Sequence, residues 1–283
     1  MKTIKTLESY AQFLAGTKGQ SIGFIPTMGA LHQGHLALVK QALAENDLVV
    51  CSIYVNPTQF NNAVDLEKYP VSTARDLQLL EEIGCHAALL PTTEQIYPNG
   101  PASNAFDFEG LDQYMEGAHR PGHFDGMATV VCRLFEIVQP SRAYFGEKDF
   151  QQLAIVKLFT AQCFPALEIV PCPIYREEDG LAMSSRNRRL TPEQRSNAPV
   201  INATITAAIE ELKNTIAPQP PRAWEAEQSQ ILNRVPDFAV EYILCCNAST
   251  LAPIEEFNPN TPTRVFVAVD VGGIRLIDNY PLF

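Results

Sequence analysis

Over the first two thirds of the chain, short apolar runs alternate with longer stretches of helical period. Ser21 to Ile25, Leu48 to Val55, His86 to Leu90, Ala143 to Phe145 and Leu167 to Ile174 are almost continuously apolar, as a parallel strand covered on both faces requires. Between them, Leu36, Val39 and Leu43 recur at helical spacing, and Asp65 to Gly84 and Met127 to Val138 also read as helices. Residues 3 to 16 open the chain as an amphipathic helix with Leu7, Tyr10, Ala11 and Leu14 on one side. Strand and helix in alternation predict an α/β fold built on a doubly wound parallel sheet to about residue 176.

The pattern then changes. Arg176-Glu177-Glu178-Asp179-Gly180 is a charged turn suited to a domain boundary. Beyond it come a helix from about Thr191 to Lys213, a Pro-rich connector around Pro218 to Pro221, and a helix from Trp224 to Leu232. Strands follow at Ala239 to Leu244, Arg264 to Val271 and Ile274 to Ile277, the last two joined through Gly272-Gly273 as a hairpin. The expected division is 1–176 and a smaller α+β domain, 177–283. Pro91 to about Gly126 is too long for a plain connector, and its Glu116 to Phe124 segment suits a mobile lid or a subunit contact.

Composition narrows the partners. With 283 residues and 46% hydrophobic side chains the chain can bury a sizeable core, and its net charge of −11 opposes nucleic acid and anionic membrane alike. The seven cysteines show no Cys-x-x-Cys spacing, which fits a reducing compartment. The first residues carry no continuous apolar leader, and no run of about 18 apolar residues occurs, so the expectation is a soluble cytoplasmic protein.

Candidate chemistry gathers where strands end. After Ser21 to Ile25, the loop Pro26 to Gly34 carries Gly29 and Gly34 and runs into a helix start, whose free N–H groups attract anions. His32 and His35 stand three apart on that helix start, where imidazoles can donate to phosphate or move protons; two surface histidines, or half a metal site, have the same spacing. Asn56 and Gln59 follow the second run and offer uncharged amides to a small polar substrate, although Asn56-Pro57 also makes a plain turn. Gly146-Glu147-Lys148-Asp149 opens a further helix. Lys148 supplies positive charge, Asp149 a ligand for a ribose hydroxyl or Mg²⁺, and Gln152 lies one turn on; a solvated charged turn reads the same way. Ser184-Ser185-Arg186 offers two hydroxyls and a guanidinium to phosphate.

Taken together and in order, these segments resemble the pantothenate synthetase (pantoate-beta-alanine ligase) family over nearly the whole chain. The motifs are Pro26-Thr27-Met28-Gly29-Ala30-Leu31-His32-Gln33-Gly34-His35, Val55-Asn56-Pro57-Thr58-Gln59-Phe60, Arg120-Pro121-Gly122-His123-Phe124, Phe145-Gly146-Glu147-Lys148-Asp149-Phe150-Gln151-Gln152, Met183-Ser184-Ser185-Arg186-Asn187 and Arg275-Leu276-Ile277-Asp278-Asn279.

The resemblance implies a Rossmann-like sheet of the nucleotidyltransferase type, a C-terminal lid domain, and a homodimer formed by the first domain. It implies ATP and Mg²⁺ as requirements, with (R)-pantoate adenylated on its carboxylate and β-alanine attacking the pantoyl adenylate. The residues Met28, Gly29, Ala30, Leu31, His32, Gln33, Gly34 and His35 would then hold ATP, together with Gly146, Glu147, Lys148, Asp149, the backbone at Tyr175, and Met183, Ser184, Ser185 and Arg186. His35, His32, Lys148 and Arg186 would carry catalysis, and Gln59, Gln152 and Asn56 would form the pantoate and β-alanine pocket. Mg²⁺ would be held mainly through the ATP phosphates, with Asp149 as a further ligand.

Two positions depart from the family pattern. Val71-Ser72 stands where Arg-Thr is usual after Tyr69-Pro70, and Pro171-Cys172 where Gly-Val is usual. Two other activities share the His-x-Gly-His cradle: transfer of AMP to a phosphate acceptor, and nucleotide binding without catalysis. The amides at Asn56, Gln59 and Gln152 argue against the first, and the retained motifs against the second.

Overall fold

The computed structural model describes residues 1–60, 66–214 and 220–283, so the expected helix start at Asp65 and connector start at Pro218 lie outside the described residues. Two compact units are present. The first comprises Met1–Asp112, Glu116–Glu147 and Gln152–Pro173, and the second Gln113–Met115, Lys148–Gln151 and Ile174–Phe283.

The first unit is built on six parallel strands: β1 (Lys2–Ile4), β2 (Ile22–Thr27), β3 (Leu48–Ile53), β4 (Ala87–Leu89), β5 (Arg142–Gly146) and β6 (Glu168–Cys172), in the order β1-β4-β3-β2-β5-β6. The longer helices running through it are α1 (Leu7–Ala15), α2 (Gln33–Glu45), α3 (Thr73–Glu82), α4 (His123–Val138) and α5 (Phe150–Cys163). Successive strand residues point to opposite faces. Phe24, Val50 and Ala87 accordingly join the core with Met127, Val131, Phe135 and Phe159 of α4 and α5. Ile25, Cys51 and Ala88 join the opposite core with Val39 and Ala42 of α2 and Leu80 of α3. This two-sided burial is why the strands are apolar throughout.

The second unit has its own core around a three-stranded antiparallel sheet, β7 (Phe238–Asn247), β8 (Thr263–Val271) and β9 (Ile274–Pro281). The Gly272-Gly273 turn closes the β8-β9 hairpin with both residues at positive φ, as expected. Two helices, α6 (Val200–Asn214) and α7 (Pro221–Leu232), supply Ile205, Ile209 and Trp224 to the same core.

Several elements differ from expectation. The opening helix begins only at Leu7, because the Thr6 hydroxyl accepts from the Ser9 N–H at 3.1 Å, and the residues before it form the short edge strand β1. Three paired residues carry no periodic signal. The helix expected from Thr191 to Lys213 is two helices, Pro192–Asn197 and α6, interrupted at Ala198-Pro199. Pro199 has no N–H for the helical ladder, and its ring crowds the carbonyl four residues back. Helix α4 starts earlier than Met127 because Gly122, at φ 77°, turns the chain directly into it.

Candidate active site

Strands β2, β3 and β4 step one way across the sheet and β5, β6 the other, so the carboxyl ends of β2 and β5 mark the switch point where open α/β sheets bind ligands. The loop leaving β2 is built tightly. The Thr27 hydroxyl donates to the Ser52 carbonyl at 2.7 Å and accepts from the Gly29 N–H at 3.2 Å. Gly29 and Ala30 both take positive φ, 82° and 49°. The Asp76 carboxylate, only 1% exposed, then accepts the Ala30 N–H at 2.9 Å and the Leu31 N–H at 2.8 Å, and the Ser72 hydroxyl donates to it at 3.0 Å. Two amides of the expected cradle are therefore already engaged by the chain's own carboxylate.

His32 sits at the N-cap of α2 and His35 at its third position. Their rings lie 4.0 Å apart, and the His32 backbone N–H donates to His35 Nδ1 at 3.4 Å. An imidazole accepting at Nδ1 carries its proton on Nε2 when neutral, so His35 is set to donate from Nε2.

Beyond β3, Pro57–Gln59 form one short turn of helix. Asn56, 1% exposed, donates to Gln59 Oε1 and to the Gly126 carbonyl, both at 3.1 Å, and accepts from Tyr97 at 2.7 Å and Thr58 at 3.2 Å. With both amide hydrogens and its carbonyl used, Asn56 holds Gln59 in place. The Gln59 amide nitrogen in turn donates to Met28 Sδ at 3.1 Å, bringing the β2 loop and the β3 turn together. The Gln59 backbone carbonyl is held as well, by His123 Nδ1 at 2.8 Å and Arg120 Nη2 at 3.2 Å. With its proton on Nδ1, a neutral His123 accepts at Nε2 from Arg120 Nη1 at 3.2 Å, and Glu116 pairs with Arg120 at 3.5 Å. The segment read as a lid or subunit contact thus contributes a brace behind Gln59. Gly146, Glu147 and Gln152 are half-buried around the end of β5 and the start of α5.

In the second unit, Lys148 lies 3.7 Å from Asp149 through its ammonium, and its backbone carbonyl accepts the Asn279 side-chain amide at 3.0 Å. Asn279 accepts from Arg264 Nε at 2.7 Å, and the Arg264 guanidinium stacks 4.2 Å above the Phe150 ring. Tyr175 and Met183 belong to one small hairpin: the Met183 N–H donates to the Tyr175 carbonyl at 3.0 Å, and the Tyr175 side chain is 43% exposed. Arg176 in the same hairpin makes a bidentate pair with Asp278 at 2.6 and 3.0 Å, and the Tyr280 hydroxyl donates to Asp278 at 2.6 Å. Burial, with Asp278 beside it, pushes the Tyr280 phenol far above its ordinary value. The Ser184 hydroxyl caps the turn of Ser185–Arg189 by accepting the Arg186 N–H at 3.2 Å, while Asn187 ties that turn to Glu177 at 2.8 Å.

Among the described residues no group of three His, Cys, Asp or Glu side chains is arranged to hold a metal ion, and Asp149 is half exposed beside Lys148.

Sequence reading missed four supports: Asp76, Tyr97, Gly126 and Arg264. Asp76 left one signal, since it stands four residues before Leu80 on the buried face of α3, where an acid needs a partner. Gly126 approaches so closely that a Cβ would lie 2.4 Å from the Thr58 carbonyl oxygen.

Paired imidazoles on a loop at the switch point of a doubly wound parallel sheet are the construction of an α/β enzyme. The chain belongs to the pantoate-beta-alanine ligase family, whose family model matches residues 1–281. It is 43% identical over 281 residues to the pantothenate synthetase of Porphyromonas gingivalis, covering 99% of this chain and 98% of that one. It is 46% identical to the pantothenate synthetase of Flavobacterium psychrophilum over 93% of this chain and 92% of that one. Among solved structures, pantothenate synthetase from Thermus thermophilus superposes with a TM-score of 0.91 at 41% identity, covering 100% of both chains. The Francisella tularensis pantoate-beta-alanine ligase, solved with β,γ ATP and β-alanine, gives 0.84 at 34% identity over 99% of this chain and 97% of that one.

Proposed function

We propose that this enzyme condenses (R)-pantoate with β-alanine in two steps, with ATP consumed to AMP and pyrophosphate. In the first, a pantoate carboxylate oxygen forms a bond to the α-phosphorus while the bond to the pyrophosphate oxygen breaks. In the second, the free amine of β-alanine forms the amide bond and the acyl bond to AMP breaks. The reading is carried by one juxtaposition: the His32 and His35 imidazoles open α2 from the same loop whose Met28 meets the neutral Gln59 amide. An uncharged, braced amide suits a hydroxy acid and an amine, and adjacent imidazoles suit phosphates.

His35, donating from Nε2, and His32 offset the charge that grows on the phosphates as pyrophosphate leaves. Lys148 and Arg186 add fixed positive charge, and Ser184 and Ser185 add hydroxyl donors. Gln59 and Gln152 orient pantoate and the amine, with Asn56 acting through Gln59. The remaining nucleotide contacts are assigned to Gly146, Glu147, Asp149, the Tyr175 backbone and Met183. Mg²⁺ is assigned mainly to the ATP phosphates, with Asp149 as a further ligand, where it would neutralise phosphate charge. The reading extends to a homodimer through the first domain, and to a cytoplasmic setting in keeping with seven free cysteines. No described helix is long and apolar enough to cross a membrane.

The test is pyrophosphate release from MgATP with (R)-pantoate, with and without β-alanine, following AMP and pantothenate by mass spectrometry. A pantoate-dependent burst that becomes steady turnover on adding β-alanine is the expected result. No dependence on pantoate overturns the assignment.

A further inference from the structure

A loop that is to receive phosphate ordinarily keeps its amides free. Here the chain fills them itself. Gly29 and Ala30 both take the left-handed conformation, which for Ala30 is disfavoured and persists only when the surroundings hold it. Such a turn aims successive N–H groups at one point. The Asp76 carboxylate occupies that point, taking the Ala30 and Leu31 amides on separate oxygens at 2.9 and 2.8 Å. The fit is close on the other side too, since a Cβ on Gly29 would lie 3.0 Å from Asp76 Oδ2. Ser72 adds the third donor, so the hydroxyl expected at that position survives the change from the family's Thr. The neighbouring departure, Val71, is 73% exposed.

We propose that Asp76 is a positioning residue for the nucleotide: its carboxylate fills the Ala30 and Leu31 amide nest, fixes the turn ahead of His32 and His35, and directs phosphate to the helix start and imidazoles beyond. The inference rests on the nucleotide-binding reading above. It assigns Asp76 no contact with substrate. A residue that merely stabilised the fold would change the fraction of folded enzyme and leave the affinity of the folded fraction alone. A positioning residue changes the affinity itself.

The experiment measures binding of β,γ-methylene ATP with Mg²⁺ by calorimetry to the full-length chain and to Asp76→Ala, Asp76→Asn and Ser72→Ala, alongside thermal melting. Asp76→Asn opposes its NH₂ to one of the two backbone N–H groups, so it and Asp76→Ala are expected to weaken binding roughly tenfold or more, the scale of a lost charge-assisted hydrogen bond. Sodium formate, a carboxylate small enough for the vacated space, is expected to restore part of the affinity of Asp76→Ala and none of that of Asp76→Asn. Ser72→Ala is expected to weaken binding by about two- to fivefold while the protein stays folded at the assay temperature. Wild-type affinity in folded Asp76→Ala overturns the proposal. If the Asp76 variants do not fold, wild-type affinity in Ser72→Ala overturns it instead. Because the readout is nucleotide binding, a wild-type enzyme that binds the analogue yet releases no pyrophosphate with pantoate defeats the proposed function and leaves this test standing.

Discussion

The side-chain amide of Asn279 donates to the backbone carbonyl of Lys148 at 3.0 Å, although 130 residues intervene between them in the chain. With Arg264 held on the other end of the same amide, the position of Lys148 depends on β8 and β9. Asn279→Ala removes that tether, and kcat/KM for ATP should fall on the order of tenfold, as for loss of one buried hydrogen bond with its partner left unsatisfied. Steady-state pyrophosphate release measures it; an unchanged kcat/KM would show that Lys148 does not depend on the tether.

His35→Ala and Lys148→Ala should each cut turnover by about 10²-fold or more, the scale of losing one group that stabilises developing charge. Circular dichroism should remain that of the wild type, since neither side chain belongs to a core cluster. Near-normal turnover in both variants would remove the assigned chemistry.

Gly126→Ala places a methyl 2.4 Å from the Thr58 carbonyl oxygen and 2.9 Å from the Gln59 nitrogen, both backbone atoms that cannot step aside cheaply. Denaturant unfolding should show a loss of about 1–3 kcal/mol. The displaced Gln59 should raise KM for pantoate more than KM for ATP. Equal stability would mean that the turn yields freely.

Glu225 gives a pH dependence. Burial raises its carboxyl above the ordinary 4.5, although Oε1 accepts the Cys245 N–H at 2.6 Å. A carboxyl with a raised folded-state pKa binds its proton more tightly when folded. Its cost is therefore absent below about 4.5 and grows as pH rises through the raised value. Glu225→Gln keeps an acceptor without the charge, so it should melt higher than wild type at pH 8 and level with it near pH 4. The opposite ordering at pH 8 would mean that the charge itself stabilises.

What could be read from the sequence follows from which interactions are local. The runs of β2 and β3 announced themselves because burial on both faces demands apolar side chains at every position, and His32, His35 and Lys148 stood out because their chemistry is written in residue type. Strand β1 was invisible, since three residues paired with β4 have no period of their own. Asp76 was passed over because its value lies in two amides some 45 residues upstream, which no local pattern records. Asn56 was legible by type and position as an amide of the pocket, but the way it braces Gln59 depends on Tyr97 and Gly126, both brought in from afar.

Because Lys148–Gln151 pack as part of the second unit while Glu147 and Gln152 on either side belong to the first, the second unit is not one continuous stretch of polypeptide. It cannot be excised with a single cut. A fragment beginning at Ile174 would leave the Asn279 amide without its carbonyl and Arg264 without its aromatic platform. Engineering of this chain is bound by that weave: the C-terminal portion cannot be traded between relatives as a cassette unless Gln113–Met115 and Lys148–Gln151 travel with it.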